Sequence, residues 1–281
     1  MKKTLLSILA LTATILTSQA QESSAILDKI SFGASYGIVK PMGKFGNHHF
    51  SAMNPSNIDV LTEGDLGALN LADFLDNSFA KQGNQFSIFA EYQRDDHFGA
   101  FLEWNNAEFS LHQGQISSME VLFNQVLESQ GGIIPTIGFN VTQWKSNSFL
   151  AGPTARQSYG KFTIQTKAGI GVLLLESPTF TASIEELFGF PVALDILSLP
   201  QEEELGFVYS LGLSAQYEFI NKTSFRVAMD YSKSMVKMEN IALQLLSSDL
   251  PLDIPAALME PVEIEVDYQT LNFSLSLIRQ F

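Results

Sequence analysis

The chain has 281 residues, of which 46% are apolar and 11% aromatic, and it contains no cysteine. The absence of cysteine excludes disulfides, thiolate catalysis and lipid attachment through cysteine. Thirty acidic and sixteen basic residues give a net charge of −14, so we expect no nucleic-acid partner.

The N-terminus has the pattern of a secretory signal peptide. Two lysines precede an apolar run from Leu5 to Leu16, and small residues follow it. This run is shorter than the roughly 20 residues that a membrane-spanning helix needs, which disfavours an anchor. We therefore expect residues 1–20 to be a signal peptide and residues 21–281 to form one exported domain.

The mature chain predicts antiparallel strands in which apolar and polar side chains alternate. In GFVYSLGLSAQYEFI, the odd-numbered residues from Phe207 to Phe219 are apolar or aromatic, whereas the even-numbered ones are mostly Gly, Ser, Gln and Glu. A period of two places one set against lipid and the other towards a polar lumen. A soluble sandwich also alternates, but its exposed face would carry Lys, Glu and Thr.

In chain order, the candidate strands are ISFGASYGIVK, NQFSIFAEYQ, HFGAFLEWN, SNSFLAGPTARQS, KFTIQTKAGIGVLL, GFVYSLGLSAQYEFI, SFRVAMDYS and the C-terminal YQTLNFSLSLIRQF. They number about eight, the size of the smallest common outer-membrane barrel. Beyond the signal peptide, no apolar run is long enough for a membrane helix. The predicted fold is therefore all-β, an eight-stranded antiparallel transmembrane β-barrel.

Short and long connections alternate between these strands. The short ones are RDDH, SYG and INKT, and the long segments are residues 45 to 84, 112 to 146, 176 to 205 and 239 to 261. Short periplasmic turns and long extracellular loops are the usual arrangement of outer-membrane barrels.

The long loops contain apolar stretches that predict short helices. These are DLGALNLADFLDNSFAKQ, SSMEVLFNQVLESQGG, ASIEELFGF and MENIALQLLSSDLP. The second begins with a serine followed by Glu120 and ends on glycine, which is typical of a capped helix. We expect the helices either to pack together as an electronegative cap over the barrel or to line a hydrophobic site or meet a partner protein.

By its export signal, its glycine-rich strands such as AGIGV and its last strand, the mature chain resembles the small outer-membrane β-barrel proteins of Gram-negative bacteria. These are the porin-like barrels that include the OmpA and OmpX types. In that family the last strand ends in Phe and is read by the barrel-assembly machinery. The resemblance implies an assembly signal formed by Leu271, Phe273, Leu275, Leu277 and Phe281. It also implies a position in the outer membrane, in contact with lipid and lipopolysaccharide.

Two features of the last strand depart from the family pattern. Arg279 occupies a position that is usually apolar, although an arginine near the interface can extend to the lipid headgroups. The apolar positions also change from even to odd numbers between Tyr268 and Leu271. We therefore expect a β-bulge near Gln269 and Thr270.

Charged residues of both signs fall on lumen-facing positions. Counted from the short turns, they are Glu91, Arg156, Glu218 and Arg226 in a first layer and Glu103, Lys167 and Asp230 in a second. An eight-stranded barrel is only wide enough for side chains to fill it, and an unpaired buried charge costs several kcal/mol. We predict ion pairs across a plugged lumen; a proton or ion relay along the second layer is the alternative.

The four histidines do not predict a catalytic or metal site. His48 and His49 are adjacent and point opposite ways in an extended chain, His97 lies in a short turn, and His112 ends a strand. None has a serine or acid at a spacing that would orient it. We expect no enzymatic activity, no metal and no cofactor.

Together these features predict an integral outer-membrane barrel with a structural or interaction role through its extracellular loops. One alternative is the binding or transport of a hydrophobic small molecule, as in the OmpW-like family. Another is an accessory barrel of a secretion system. The expected partners are the assembly machinery, the surrounding lipid, and a loop-binding protein or hydrophobic ligand.

Overall fold

In the computed structural model, eight strands form a closed antiparallel barrel. The structure describes residues 29–46, 80–114, 136–187, 190–242, 244–246 and 261–281, together with residues 116, 117, 120, 121 and 124. With strands numbered β1 to β12 along the chain, the barrel strands are β1 (Ile30–Pro41), β2 (Ala80–Gln93), β3 (Phe98–Leu111), β5 (Trp144–Tyr159), β6 (Phe162–Glu176), β9 (Glu203–Ile220), β10 (Thr223–Ile241) and β12 (Val262–Gln280). Strand β1 pairs with both β2 and β12, which closes the ring. The eight-stranded barrel predicted from the sequence is confirmed.

The outward face of the barrel carries a continuous apolar band. Its well-exposed members include Tyr36, Leu102, Ile170, Leu211, Val227 and Leu275. Towards the ends of β10 and β12 that lead into long loops, the outward residues become charged, as at Lys237, Glu239, Glu263 and Glu265. An apolar band bounded by polar residues is the surface of a transmembrane β-barrel, because only the band faces hydrocarbon.

Tight turns at residues 94–97, 160–161 and 221–222 define one end of the barrel, which we call the short-turn end; the opposite end is the long-loop end. In the first turn, Asp95 Oδ1 accepts hydrogen bonds from the backbone N–H groups of His97 and Phe98, each 2.9 Å long. These bonds stabilise the ionised carboxylate and hold the pKa of Asp95 below its usual value. The chain therefore reverses direction through local hydrogen bonding.

Strand β12 runs without a bulge between Gln269 and Thr270, so the expected irregularity there is wrong. Its pairing with β10 is continuous from Ile264 to Arg279, and the register shift in this pair lies between Met238 and Ile241. The even-numbered residues of β12 face inward along the whole strand. The apolar residues change parity because, beyond the lipid, the interior is apolar and the outward side is exposed to water.

Inward-facing glycines make room for inward-facing phenylalanines. The ring of Phe89 on β2 lies against Gly33 of β1, and the ring of Phe101 on β3 lies against Gly169 of β6. A Cβ atom added at Gly169 would lie 2.7 Å from Cζ of Phe101, closer than real side chains approach one another. The glycine-rich strands are thus part of the packing of the interior.

A second sheet of four strands is formed by segments of the long loops. Its order is β11-β8-β7-β4, with β4 (Thr136–Val141), β7 (Phe180–Leu187), β8 (Phe190–Leu199) and β11 (Gln244–Leu245). Its buried side consists of Ile137, Ala182, Ile184, Ile196 and Leu197. Phe139 and Phe180, whose ring centroids are 4.8 Å apart, pack against both this cluster and the apolar cluster of the barrel. The sheet therefore sits on the long-loop end.

Two of the four predicted loop helices are strands. The stretch ASIEELFGF belongs to β7 and the start of β8, because Ala182 and Ile184 alternate with polar residues and pack into the sheet. In MENIALQLLSSDLP, the described residues belong mainly to β10 and β11, and Met238 and Ile241 are buried in the barrel cluster. Most of DLGALNLADFLDNSFAKQ lies outside the described residues, and its last three residues begin β2.

The helix predicted in SSMEVLFNQVLESQGG is present in the described part of that stretch, where residues 117, 120, 121 and 124 are helical. It is held against β4: Asn124 exchanges two hydrogen bonds with the backbone of Ile137, and Glu120 Oε1 accepts one from Phe139 N, 2.9 Å away. Within the described ranges, no helix is both long and apolar enough to cross a membrane.

Replacing Gly169 with alanine should destabilise the barrel by roughly 1–3 kcal/mol, because the added methyl group overpacks against Phe101. Urea unfolding in lipid vesicles, followed by tryptophan fluorescence, measures the change. Gly114→Ala is the control, since a Cβ there meets no atom of a described residue within 4 Å. Identical unfolding midpoints for the two variants would contradict this account of the packing.

Candidate functional site: the barrel interior

The layer nearest the short-turn end is built around Arg226 and Glu91. Arg226 Nη1 and Nη2 donate to the two carboxylate oxygens of Glu91 at 2.6 and 2.7 Å. Gln165 donates to Glu91 and accepts from Arg226, and Gln216 accepts from Arg226. The guanidinium also lies 5.2 Å from the centre of the Phe89 ring. This bidentate pair spans the interior from β10 to β2, with its hydrogen-bonding groups largely satisfied.

The next layer is an ionic triad centred on Lys167. Its Nζ lies 2.6 Å from Glu103 Oε2 and 3.2 Å from Asp230 Oδ1, joining β6 to β3 and β10. The ammonium group also lies 5.3 Å from the centre of the Phe101 ring. Gly212 on β9 leaves the space that Asp230 and Lys167 occupy, since a Cβ there would collide with both. All three charged side chains are largely withdrawn from solvent.

The third layer, towards the long-loop end, is apolar and aromatic. Phe45 is almost fully buried, with its ring centroid 5.2 Å from that of Phe109, 5.6 Å from Trp144 and 5.0 Å from Tyr268. Aliphatic residues of β6, β9, β10 and β12 complete the cluster. The interior therefore changes from charged to apolar along the barrel axis.

Phe45 enters the barrel because β1 is short. Strand β1 ends at Pro41, opposite Thr270, whereas β12 continues to Val262. A short 3-10 helix, Gly43–Gly46, follows, and Met42 N donates to Gln269 O as the chain leaves the sheet. Sequence reasoning assigned Phe45 to the first long loop. The sequence feature that could have indicated its position is Pro41, which ends the strand, followed closely by a single aromatic residue.

The structure brings together five of the seven charged residues predicted to face the lumen. The two layers contain Glu91, Arg226, Glu103, Lys167 and Asp230. Glu218 lies nearer the turns and accepts a hydrogen bond from Lys222 N at 3.0 Å. Arg156 also lies near that end, and its guanidinium makes no ion pair with any described residue.

Four residues of the implied assembly signal lie on the outward face of β12, and the fifth, Phe281, directly follows the strand. Phe273, Leu275 and Leu277 are exposed, Leu271 is half-buried, and Phe281 is in edge contact with Phe32 of β1, 5.7 Å between ring centroids. They form one apolar row at the seam where the first and last strands meet.

Arg279 lies among polar groups of the neighbouring turn. Its Nη1 donates to the backbone oxygen of Asn221 at 3.2 Å and to Thr223 Oγ1 at 2.6 Å. These bonds account for an arginine at an otherwise apolar position of the last strand.

The histidines in the described part of the chain lie apart from the charged layers. His97 is in the first short turn and His112 follows β3, while His48 and His49 lie outside the described residues. Among the residues the structure describes, no three His, Asp or Glu side chains are grouped as metal ligands.

No protein-family model and no curated protein matches the chain. Among solved structures it is similar to Neisserial surface protein A, with 7% identity and a TM-score of 0.41 over 90% of this chain and 97% of that one. It is also similar to a major outer membrane protein from Thermus thermophilus, with 9% identity and a TM-score of 0.41 over 90% of this chain and 99% of that one. A third similar structure is OprG from Pseudomonas aeruginosa, with 13% identity and a TM-score of 0.38 over 90% of this chain and 96% of that one.

These are outer-membrane β-barrel proteins. For the present chain, the strand order and the outward apolar band establish the barrel.

Replacing Lys167 with methionine should destabilise the barrel by roughly 3–5 kcal/mol, because Glu103 and Asp230 would remain buried without a cation. Urea unfolding in vesicles measures the loss. Lys237→Met is the matched control: its pair with Glu263 is exposed, so the expected change is within about 1 kcal/mol. A loss no larger than that of the control would show that the triad does not stabilise the fold.

Proposed function

We propose that this protein is an integral outer-membrane barrel with a closed lumen, which acts through the surface of its long-loop end. The observation that carries the proposal is the sequence of three side-chain layers across the interior: the Arg226–Glu91 pair, the Lys167 triad and the Phe45 cluster. In an eight-stranded barrel the interior is just wide enough for side chains, so such layers leave no continuous water path.

The proposed orientation places the short turns in the periplasm and the long loops outside the cell. This is the arrangement of bacterial outer-membrane barrels. It gives the outward row of β12 the role of an assembly signal read by the barrel-assembly machinery, and it surrounds the apolar band with lipid and lipopolysaccharide. Export would be directed by residues 1–20.

The four-stranded sheet is the proposed interaction surface. Its inner side is packed, whereas Phe190, Val192 and Leu194 of β8, in the hairpin formed by β7 and β8, are exposed. Exposed apolar side chains grouped on one element are typical of surfaces that contact another molecule. Glu185 and Glu186 beside them make the hairpin acidic. In this proposal the barrel holds the sheet at the cell surface and has no catalytic role and no cofactor.

A second candidate function, the binding of a hydrophobic small molecule, is favoured by the apolar third layer. Phe45 occupies this layer from a four-residue helix outside the barrel strands. Displacement of that helix would leave an apolar space lined by Phe109, Trp144 and Tyr268. Apolar pockets with few polar groups are typical sites for such ligands.

Planar-bilayer recordings test the closed lumen. The mature protein should insert without producing single-channel current steps, because the charged layers and the Phe45 cluster close the interior. A larger porin added afterwards to the same bilayer is the control that the membrane can report conductance. Steady, reproducible steps from the protein alone would overturn the closed-lumen proposal.

Quenching of Trp144 fluorescence tests the second candidate. The chain has two tryptophans, so a Trp104→Phe variant leaves Trp144, whose ring lies 5.6 Å from that of Phe45, as the reporter. If the third layer binds hydrophobic molecules, a brominated fatty acid should quench it saturably, and Phe45→Ala should tighten binding by removing the competing ring. Quenching that rises linearly with lipid-phase concentration in both variants would indicate partitioning into the membrane and reject this function.

A further inference from the structure

A polar cavity of about 140 Å³ lies inside the short-turn end, on the turn side of the Arg226–Glu91 pair. We call it the vestibule. A cavity needs roughly 10–15 Å³ to hold one water molecule. The vestibule therefore has room for several waters or for one small oxyanion.

The charged side chains that line the vestibule are mainly basic. They are Lys29, Arg156, Lys161, Lys222, Glu91 and Glu218. Four bases against two acids leave an excess of two positive charges, in a chain whose net charge is −14. A quarter of the sixteen basic residues thus converge on one cavity, against the sign of the whole protein.

Both acids of the vestibule are already engaged. The two oxygens of Glu91 are held by Arg226, and Gln165 donates a further hydrogen bond at 3.1 Å. Glu218 accepts from Lys222 N. Neither carboxylate lies within ion-pairing distance of Arg156 in the described part of the chain. The positive charge of the vestibule is therefore not compensated by these two acids.

Arg156 is the unsatisfied member of the group. Its backbone N–H is paired with His97 O, but its Nε is shielded from solvent and has no hydrogen-bond partner among the residues that the structure describes. The other two cations of the interior, Arg226 and Lys167, each contact carboxylates. A shielded donor without a partner is costly, and such groups are normally satisfied by water or a ligand.

We propose that the vestibule binds a phosphate group, with Arg156 as its principal ligand. The planar guanidinium presents paired donors that match phosphate oxygens, and the hydroxyls of Ser158, Thr163 and Ser224 line the same cavity. The excess of positive charge favours a phosphate dianion over a single carboxylate. The exposed lysines at the rim attract the anion towards the opening.

The proposed orientation determines only the compartment from which the phosphate arrives, the periplasm. The source is either free inorganic phosphate or a phosphorylated head group, since both offer the same group to Arg156. Binding at this end is independent of whether the lumen conducts, so a result here and a result in the bilayer recordings are separable.

Arginine side-chain NMR of the mature barrel in micelles tests the site directly. The chain has four arginines, so each Nε–Hε signal can be assigned from a single variant. Titration with inorganic phosphate, with ionic strength held constant by sodium chloride, should shift the Arg156 signal saturably. A shift that fails to saturate, or one shared equally by all four signals, would overturn the proposal.

Calorimetric titration with inorganic phosphate supplies the matched comparison. Arg156→Gln should weaken binding by about tenfold or more, because the charged, bidentate contact is lost. Arg94→Gln removes the same charge at the same end but outside the vestibule lining, and should leave the dissociation constant unchanged within about twofold. If the two variants weakened binding equally, phosphate would respond only to the net charge of this end of the barrel, and the proposed site would be rejected.

Three further titrations complete the test. If Arg156→Gln does not fold, the rim variant Lys29→Gln/Lys161→Gln replaces it, with the expectation of weaker binding; unchanged affinity would reject the site. Glycerol 3-phosphate distinguishes the sources: binding as tight as that of phosphate supports a head group, and its exclusion supports the free ion. Acetate that binds as tightly as phosphate would overturn the assignment to phosphate.

Discussion

The contact of Lys167 with Glu103 and Asp230 is the interaction on which the barrel interior depends. Three charges are withdrawn from water, so the single ammonium group of Lys167 has to offset two carboxylates. The surrounding sequence accommodates this requirement. Gly212 and Gly169 provide room, and Phe101 covers the ammonium group. Small residues beside large ones are therefore required by the charges as much as by the shape of the barrel.

The polarity of the interior follows the surroundings of the wall. Where the outward face contacts lipid, the inward side holds the charged layers. Beyond the band, where Glu263 and Glu265 face water, the inward side is aromatic and aliphatic, as in a soluble protein. The same strands thus build a membrane protein at one level and a water-surrounded core at another. The second sheet extends that core through Phe139 and Phe180.

Much of the architecture could be predicted from the sequence because a period of two and the spacing of short turns are local signals. The layer positions of Glu103, Lys167 and Asp230 followed from counting residues from those turns. The bulge at Gln269 was predicted wrongly, because an inverted environment and an inserted residue change the parity of apolar residues in the same way. The contact of Phe45 with Tyr268 depends on residues far apart in the chain, which no local pattern encodes.

Short apolar stretches in the loops were ambiguous for a related reason. Ala182 and Ile184 of ASIEELFGF are buried in the second sheet, so tertiary contacts determined the secondary structure there more than local helix propensity did. Arg156 could be placed near the turns by counting, but only the structure shows that its Nε has no hydrogen-bond partner among the described residues.

The pairing of β1 with β12 has a consequence for how the protein assembles. It joins Ser31 to Gln280, so the ring is sealed by residues from opposite extremes of the described chain. Contacts between such distant residues form slowly. The other seven strand pairs join barrel strands that are consecutive in the chain, so they can form before β1 pairs with β12. Until the first and last strands meet, the polypeptide is an open sheet with two bare edges, each able to pair with a foreign strand. Pairing of β1 with β12 removes both edges at once.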